Sequence, residues 1–273
     1  MNEFLKRTLS GAVFIILVLG SILWNPWSLF ILLCSISGIA LFEFYTLYKI
    51  RHYTPLFAGG ITSGFLILLL VILERQSIIP QKFLFLAILP IAGIWFSFLA
   101  VKRKDIINSL IITVAGLIYV LLPLSLIPFI TQNQLTSFNY KPEIIIGVLI
   151  VLWSNDTAAY LTGISLGRHK MAPAISPKKS WEGFFGGLMF AMLAGYFLGK
   201  FSSLLNSTDW IVLSIIIVLT GTAGDLFESL IKREAGVKDS GKIMPGHGGI
   251  LDRFDSLFMV IPFVFLYLYL IKI

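Results

Sequence analysis

The chain has 273 residues, of which 57% are hydrophobic and 13% are charged, and its mean hydropathy is +0.91. Soluble globular domains are about 45–50% apolar and about 25% charged, so this composition excludes a soluble domain and predicts an all-α polytopic membrane protein. The single cysteine, Cys34, excludes an internal disulfide, and the net charge of +7 comes from short basic clusters between apolar stretches, which argues against nucleic-acid binding.

Nine apolar stretches approach the length of about 20 residues that a helix needs to cross the hydrocarbon core of a membrane. They lie at about residues 8–24, 27–48, 56–74, 83–101, 106–131, 143–165, 184–206, 210–232 and 254–271. The first has the charges and the apolar run of a signal peptide, but the many later stretches favour an uncleaved first helix. We therefore expect about nine transmembrane helices.

Basic residues are distributed unevenly over the loops that join these stretches. If the loops are assigned alternately to the two sides of a membrane, sixteen of the 21 lysines and arginines fall on one side and five on the other. Cytoplasmic loops carry an excess of Lys and Arg. The asymmetry predicts a cytoplasmic N-terminus and an external C-terminus, in the cell (inner) membrane.

The two parts of the chain differ in polarity. Residues 1–140 contain few polar groups within their apolar stretches, and we expect about five helices there that act mainly as a scaffold. Glu43 is the exception, and we interpret it as a structural acid that reaches the membrane interface. Residues 141–273 contain the last four stretches, each polar on its cytoplasmic side. We expect this part, with its cytoplasmic loops, to be catalytic.

Four acids lie in or beside the polar parts of the last stretches. They are Asp156, Asp225, Glu228 and Asp252. Ionisable residues within transmembrane segments usually line a cavity or a site, and short carboxylates cannot extend to water as lysines do. A site is therefore favoured over independent charges at the interface.

Glycines in the seventh stretch match a helix-packing pattern. Gly183-x-x-x-Gly187 and Gly195-x-x-x-Gly199 place small residues four apart, which allows close approach of helices. Packing explains most of these glycines, and a homodimer through these spans is an open prediction.

The eighth stretch carries polar side chains on one predicted helix face. They are Asp225, Glu228, Ser229 and Lys232. Carboxylate and hydroxyl oxygens are hard ligands suited to Mg²⁺, which keeps waters and substrate phosphates in its shell. At the start of the ninth stretch, Asp252 and Asp255 also share a face, after a glycine-rich turn that allows close backbone approach to a ligand.

The sequence lacks the residues that several other kinds of site would need. The chain has three histidines, which excludes a histidine-rich metal centre, and it contains no P-loop sequence. His247 could bind a phosphate or transfer a proton, or it could be a turn histidine bonded to the backbone, and both readings stay open. Carboxylates, a basic rim and a glycine-rich turn together favour metal-assisted chemistry on a phosphate compound.

A family resemblance is carried by the stretch Ser229 to Asp255, which reads SLIKREAGVKDSGKIMPGHGGILDRFD. It resembles the signature of the phosphatidate cytidylyltransferases, also called CDP-diacylglycerol synthases: S-x-apolar-K-R, four residues, K-D, then P-x-H-G-G-x-x-D-R-x-D. Met244 stands where Leu, Ile or Phe is usual. NDTAAYLTGISLGRHK and SPKKSWEG resemble the family too, so the motifs cover about residues 150–260. The resemblance implies transfer of CMP from CTP to phosphatidate at a membrane, giving CDP-diacylglycerol and pyrophosphate with Mg²⁺.

The resemblance also implies roles for individual residues. The catalytic residues would be Asp225, Asp252, Lys232 and Arg253. The residues that bind the triphosphate and the lipid phosphate would be Lys178, Lys179, Ser180, Arg233, Lys238, His247, Gly248 and Gly249. The metal ligands would be Asp225, Asp252, Ser229, Glu228, Asp255 and Asp156. A second metal or a monovalent cation beside Mg²⁺ stays open.

Other functions remain as alternatives. A polyprenol or phytol kinase also uses CTP, but it would phosphorylate a lipid alcohol and need a general base near that hydroxyl. A secondary transporter also has intramembrane acids, but here the acids cluster at the cytoplasmic edge and no inverted repeat is evident. The D-G-x-x-A-R motif of CDP-alcohol phosphatidyltransferases is absent, and a non-enzymatic scaffold leaves Asp225 and Asp252 unexplained.

Overall fold

The computed structural model describes residues 3–99, 105–131, 140–244 and 248–271, and these are mostly helical. The α-helices are α1 Glu3–Trp24, α2 Pro26–Ile50, α3 Phe57–Arg75, α4 Ile88–Phe96, α5 Ile106–Gly116, α6 Leu122–Thr131, α7 Glu143–Leu166, α8 Trp181–Phe201, α9 Ser207–Glu234 and α10 Leu251–Leu270. A 3₁₀ segment, Gln81–Ala87, leads into α4, and a π turn, Leu117–Leu121, joins α5 to α6 without a break.

Seven helical segments of the described chain are long and apolar enough to cross a membrane. They are Pro26–Ile50, Phe57–Arg75, Ile106–Thr131, Glu143–Leu166, Trp181–Phe201, Ser207–Glu234 and Leu251–Leu270. Two shorter apolar helices, Thr8–Trp24 and Gln81–Phe96, coincide with the first and fourth predicted stretches. The predicted all-α, multi-pass membrane fold is therefore confirmed, whereas the number nine stays a prediction.

The boundary between α1 and α2 shows how local sequence starts a helix. The Asn25 side chain accepts hydrogen bonds from the backbone N–H groups of Trp27 and Ser28, at 2.8 and 2.9 Å. In return the Ser28 hydroxyl accepts from the Asn25 N–H at 3.1 Å, which completes a capping box. Pro26 at the first helical position has no N–H to leave unsatisfied, so the chain turns sharply here.

The chain divides into two compact units, each described here by itself. The first unit consists of Met1–Tyr140 and Glu234–Phe254, and the second of Lys141–Arg233 and Asp255–Ile273. Helix α10 thus begins in the first unit and continues in the second.

The core of the first unit is built around α2. The Tyr45 side chain is fully buried, and its hydroxyl donates to the backbone carbonyl of Thr113 in α5 at 2.9 Å. Its ring occupies the space beside Gly60 and Gly116, where any Cβ would overlap it. These two glycines let α3 and α5 approach α2 closely.

The second unit is organised by close packing of α7 against α8. A Cβ at Gly187 would overlap the Asn155 side chain, and one at Gly183 would lie 2.8 Å from the Ala159 carbonyl. Gly195 packs in the same way against Ser214 of α9. The predicted small-residue pattern is therefore used for packing within the chain.

One element was not predicted from the sequence. Strand β1, Lys170–Ala172, pairs antiparallel with β2, Ser176–Ser180, and the register sets Lys170 opposite Ser180. This hairpin fills the connection between α7 and α8 that carries the SPKKS sequence. It gives Lys178 and Lys179 a fixed backbone.

Candidate active site

In the first unit, Asp252 is held by the loop that precedes α10. Its Oδ2 accepts hydrogen bonds from the backbone N–H groups of Gly249 at 2.7 Å and Ser240 at 3.0 Å, and it lies 3.0 Å from the Ser240 hydroxyl oxygen. Asp252 is in the first turn of α10 and is half-buried. Backbone donors do not rotate as side chains do, so the orientation of this carboxylate is fixed by the fold.

Glu43, from α2, is bound to the same loop. Its Oε1 accepts from the Ile250 N–H at 3.2 Å, and its Oε2 accepts from the Leu251 N–H at 2.8 Å. The Ser240 hydroxyl oxygen lies 3.1 Å from that same Oε2. We call Glu43, Ser240, Gly249 and Asp252 the Glu43 cluster.

Glu43 was expected to be a structural acid at the membrane interface. Its side chain hydrogen-bonds to the start of α10 and is buried, with 3% of its surface exposed. The first N–H groups of a helix have no partner within the helix, and a carboxylate there also meets the positive end of the helix dipole. The start of α10 therefore accounts for the buried charge of Glu43.

The glycine-rich turn is shaped by these acids. Gly248 has a φ of +85°, a conformation that favours glycine, and its carbonyl accepts a hydrogen bond from the Met244 N–H at 3.0 Å. A Cβ at Gly249 would overlap both the Ser240 hydroxyl and the Glu43 carboxylate. Gly246 and the predicted ligand His247 lie outside the described residues.

Two predicted site residues of the first unit, the phosphate-binding Lys238 and the catalytic Arg253, are exposed. Lys238 lies in the loop after α9, and Arg253 lies in the first turn of α10 next to Asp252. The Arg253 backbone N–H donates to the Ile250 carbonyl at 3.0 Å. Both cations are accessible to an anionic ligand.

The second unit contains a cavity of about 640 Å³, which we call the Asp225 pocket. Its polar wall includes Asp156, Lys170, Lys178, Lys179, Ser180, Asp225 and Ser256. Its apolar wall includes Leu152, Tyr160, Ile164, Met171 and Phe184. The lining of the pocket thus combines strongly charged side chains with apolar ones suited to hydrocarbon.

Asp225 is the centre of the charged side. The Lys179 ammonium lies 2.6 Å from its Oδ2, and the Ser229 hydroxyl donates to its Oδ1 at 3.3 Å. The carboxylates of Asp255 and Asp225 are close enough to repel each other. Lys179 and Lys232 attract the Asp255 carboxylate. Two acids and two lysines are therefore brought together here.

Glu228 and Lys232 form an ion pair one helical turn apart on α9. The Glu228 side chain has no exposed surface, and 12% of that of Lys232 is exposed. Each charge balances the other in a buried position, where an uncompensated charge would be strongly destabilising. In this arrangement the main role of Glu228 is that of ion-pair partner to Lys232.

The remaining predicted residues of the second unit have distinct surroundings. Ser180 is buried and caps α8, since its hydroxyl accepts from the Gly183 N–H at 3.2 Å. Asp156 is exposed in the Asp225 pocket, and its Oδ1 accepts from the Asn155 amide at 3.3 Å. Arg233 is exposed, and its Nε donates to the Ile175 carbonyl in the hairpin turn at 3.3 Å.

The donor atoms of the second unit suit a magnesium ion. No group of three or more His, Cys, Asp or Glu side chains in the described residues forms a ready-made metal cage. Mg²⁺ is often held by one or two carboxylates, with waters and substrate phosphates completing its shell. Asp225 and Asp255 could be such a pair, and in this structure Asp225 is paired with the Lys179 ammonium. Asp252 belongs to the other unit and offers the same kind of donor.

Sequence reasoning missed two parts of these sites. The apolar wall of the Asp225 pocket comes from Tyr160 and Ile164 on α7 and from Met171 in β1. Tyr160 and Ile164 are four residues apart, so helical spacing could have placed them on one face with Asp156. The contact of Glu43 with the signature loop left no sequence signal beyond the presence of an acid in an apolar stretch.

Comparison with known proteins gives matches over nearly the whole chain. The model of the cytidylyltransferase family matches residues 5–271. A protein of Staphylococcus saprophyticus named phosphatidate cytidylyltransferase is 33% identical over 268 residues, which cover 94% of this chain and 95% of that protein.

Two further relatives with the same name match more strongly over shorter regions. The protein of Haemophilus influenzae is 41% identical over 157 residues, 53% of this chain and 54% of the relative. That of Staphylococcus epidermidis is 48% identical over 120 residues, 43% of this chain and 46% of the relative. In these two comparisons the chain spans about half the length of the relatives it matches.

Proposed function

Because the chain belongs to the cytidylyltransferase family, as its motifs predicted, we propose that it is a phosphatidate cytidylyltransferase. The reaction transfers CMP from CTP to phosphatidate and gives CDP-diacylglycerol and pyrophosphate. The observation that carries the proposal is the Asp225 pocket, in which lysines and carboxylates share one cavity with an apolar wall. The chemistry of that cavity matches a lipid that carries a phosphate.

Each wall of the Asp225 pocket suits one part of phosphatidate. Tyr160 and Ile164 are largely exposed apolar side chains on α7, a candidate membrane span, so acyl chains can lie along them without entering water. Lys178 and Lys179 on β2 would bind the phosphate through charge-assisted hydrogen bonds. The lipid would therefore enter from the bilayer with its phosphate towards Asp225.

The chemistry requires positioning more than proton transfer. A phosphatidate phosphate oxygen attacks the α-phosphorus of CTP, the new P–O bond forms, and the bond to the pyrophosphate breaks. The phosphate monoester is already anionic, so little help from a general base is needed. Lysines and arginines of the signature would neutralise the charge that develops on the phosphates, which is the main source of catalysis in such transfers.

Mg²⁺ is the proposed cofactor; in the second unit its ligands would be Asp225 and Asp255, and in the first unit Asp252 is a separate candidate ligand. When bound, Mg²⁺ would neutralise phosphate charge and help to orient the triphosphate. Ser229 supports Asp225 through its hydrogen bond. We assign Glu228 to the charge balance of Lys232, and Asp156 to the rim of the pocket.

We propose the inner cell membrane as the location, with about nine spans and a cytoplasmic N-terminus. The support is the uneven distribution of lysines and arginines over the loops. In this topology CTP reaches the enzyme from the cytoplasm. A homodimer remains a proposal that the measured mass of the protein in detergent would test.

The proposed function is tested with purified protein in detergent. Labelled CTP, Mg²⁺ and phosphatidate should yield a lipid-soluble cytidine product and pyrophosphate, and a polyprenol in place of phosphatidate should yield nothing. A phosphorylated polyprenol, without any cytidine lipid, would contradict the proposal and favour a lipid kinase. Inorganic phosphate released without a lipid product would contradict both.

A further inference from the structure

We propose that Glu43 is a positioning residue for the reaction, which acts on Asp252 through Ser240 and the first turn of α10. This inference rests on the proposed function, since it concerns a candidate ligand of the nucleotide and its metal. It assigns a role in the reaction to a residue that lies outside the signature, in the part of the chain expected to be a scaffold. All the residues concerned belong to the first unit.

The first argument is the number and direction of the contacts. Glu43 receives two backbone N–H groups, those of Ile250 and Leu251, at 3.2 and 2.8 Å. These are the residues that immediately precede Asp252. Because Glu43 fixes where α10 begins, it also fixes the direction in which the Asp252 side chain leaves the helix.

The second argument is that both acids contact one residue. The Ser240 hydroxyl oxygen lies 3.1 Å from Oε2 of Glu43 and 3.0 Å from Oδ2 of Asp252, while the Ser240 N–H donates to Asp252. Ser240 is buried, with 7% of its surface exposed. A displacement of Glu43 is therefore transmitted to Asp252 by two routes, through this side chain and through the helix start.

The third argument comes from two glycines of the signature segment. A Cβ at Gly241 would overlap the Glu43 carboxylate, and a Cβ at Gly249 would overlap that carboxylate and the Ser240 hydroxyl. Both glycines have an ordinary φ; among the described residues of this segment, the positive values are those of Gly236 and Gly248. Their lack of a side chain is explained by the space that Glu43 occupies.

A purely structural role makes a different prediction. If Glu43 only stabilised the fold, its replacement would lower stability and the fraction of folded enzyme, but the folded molecules would bind CTP as before. If Glu43 positions Asp252, the folded molecules would bind CTP less tightly. The two roles are separated by measuring CTP affinity in addition to activity.

The test uses Glu43→Gln with Glu74→Gln as its matched control. Glu74 is a second buried acid of the first unit, 8% exposed, and it is paired with Arg75 at 2.6 Å. Equilibrium dialysis of labelled CTP, with Mg²⁺ and without phosphatidate, gives the affinity, and steady-state kinetics give KM for each substrate. Loss of a hydrogen-bonded partner behind a ligand typically weakens affinity or activity by about 10–100-fold.

For Glu43→Gln we expect weaker CTP binding and a higher KM for CTP by about tenfold or more, with the KM for phosphatidate unchanged. Glu74→Gln should leave both the CTP affinity and the KM for CTP unchanged, whatever the melting temperature of this variant. A Glu43→Gln protein that is folded and binds CTP like the wild type would overturn the inference. Equal weakening in both variants would overturn it as well, since a general loss of stability would explain both.

Ser240→Ala provides an independent test if Glu43→Gln does not fold. It removes the hydroxyl between the two acids and keeps the backbone N–H, so it should weaken CTP binding to a smaller extent than Glu43→Gln. Unchanged CTP binding would overturn the inference.

If both variants fold, their effects on CTP affinity should be non-additive in the double variant, and simple addition would count against the inference. A wild-type protein without cytidylyltransferase activity would contradict the proposed function itself, whatever the variants do.

Discussion

Asp225 and Asp252, two of the metal ligands that the family resemblance implies, are held in different ways. Asp252 accepts from backbone N–H groups of Ser240 and Gly249, whereas Asp225 is bound by the side chains of Lys179 and Ser229. Backbone donors fix a carboxylate in one orientation, but a lysine can move to another anion. Asp252 is therefore held by donors that the backbone fixes, whereas the donors to Asp225 are on side chains that can rotate.

The largest effect is expected at Asp225. Asp225→Asn removes the charge that holds Lys179 and would bind Mg²⁺, so kcat/KM for CTP should fall by at least about 100-fold. Asp209→Asn is the control on the same helix, where the acid accepts a hydrogen bond from Tyr267 at 2.9 Å. Labelled product formation by both variants is compared with their folded yields. Full activity of Asp225→Asn would refute the metal assignment.

A similar loss of activity, with an added loss of stability, is expected at Asp252. An amide oxygen in the position of Oδ2 can still accept from the Gly249 and Ser240 N–H groups, but the acceptor loses its charge, and hydrogen bonds to charged groups contribute about 1.5–3 kcal/mol against about 0.5–1.5 kcal/mol for neutral ones. Asp252→Asn should therefore be both inactive and less stable, whereas Asp225→Asn should be inactive at nearly wild-type stability. Thermal unfolding in detergent checks this contrast, with the exposed Asp105→Asn as control.

A smaller, substrate-specific effect is expected at Lys179. In Lys179→Gln the phosphate of phosphatidate loses a charged partner, and hydrogen bonds to charged groups contribute about 1.5–3 kcal/mol. The KM for phosphatidate should rise by about tenfold or more, with a smaller change for CTP. Lys200→Gln, at the other end of α8 and above the Tyr196 ring, serves as the control. A rise confined to CTP would move Lys179 to the nucleotide.

The smallest effect is one of packing in the second unit. A Cβ at Gly187 would meet Asn155 and Ala159, so Gly187→Ala should destabilise by about 1–3 kcal/mol. Gly38→Ala in α2 has open space around the new Cβ and should be neutral or more stable, by up to about 1 kcal/mol. Unfolding midpoints of the two variants test this difference. Equal values would mean that α7 and α8 do not pack as closely as described.

The fold could largely be predicted from the sequence because hydropathy is a strong and local signal. The sixth predicted stretch, 143–165, corresponds to α7 at Glu143–Leu166. The seventh, 184–206, corresponds to α8 at Trp181–Phe201 and is displaced, because the Ser180 cap starts the helix earlier and the chain leaves the helix after Phe201. Capping depends on one hydrogen bond, which hydropathy does not register.

The sites could be predicted only in part. Asp225, Ser229 and Lys232 lie on one helix, so their spacing was sufficient to group them, and Lys179 was expected at the phosphates from the family motif. The hairpin was missed because its two strands are short, both carry lysine and β2 also carries Pro177, and these residue types have low strand propensity. The partners of Glu43 could not be predicted because they lie about 200 residues away in the sequence, as the 197-residue separation from Ser240 shows.

That separation also has a consequence for biosynthesis. Glu43 is made early, but the residues that bind it are added almost at the end of translation, and at about 5–20 residues per second the interval is roughly 10–40 s. Throughout this time the nascent α2 carries an acid whose partners do not yet exist. Chains that stop before residue 251 should therefore be recognised and degraded. A pulse-chase experiment that compares truncated wild-type chains with truncated Glu43→Gln chains would show this degradation as a difference in lifetime.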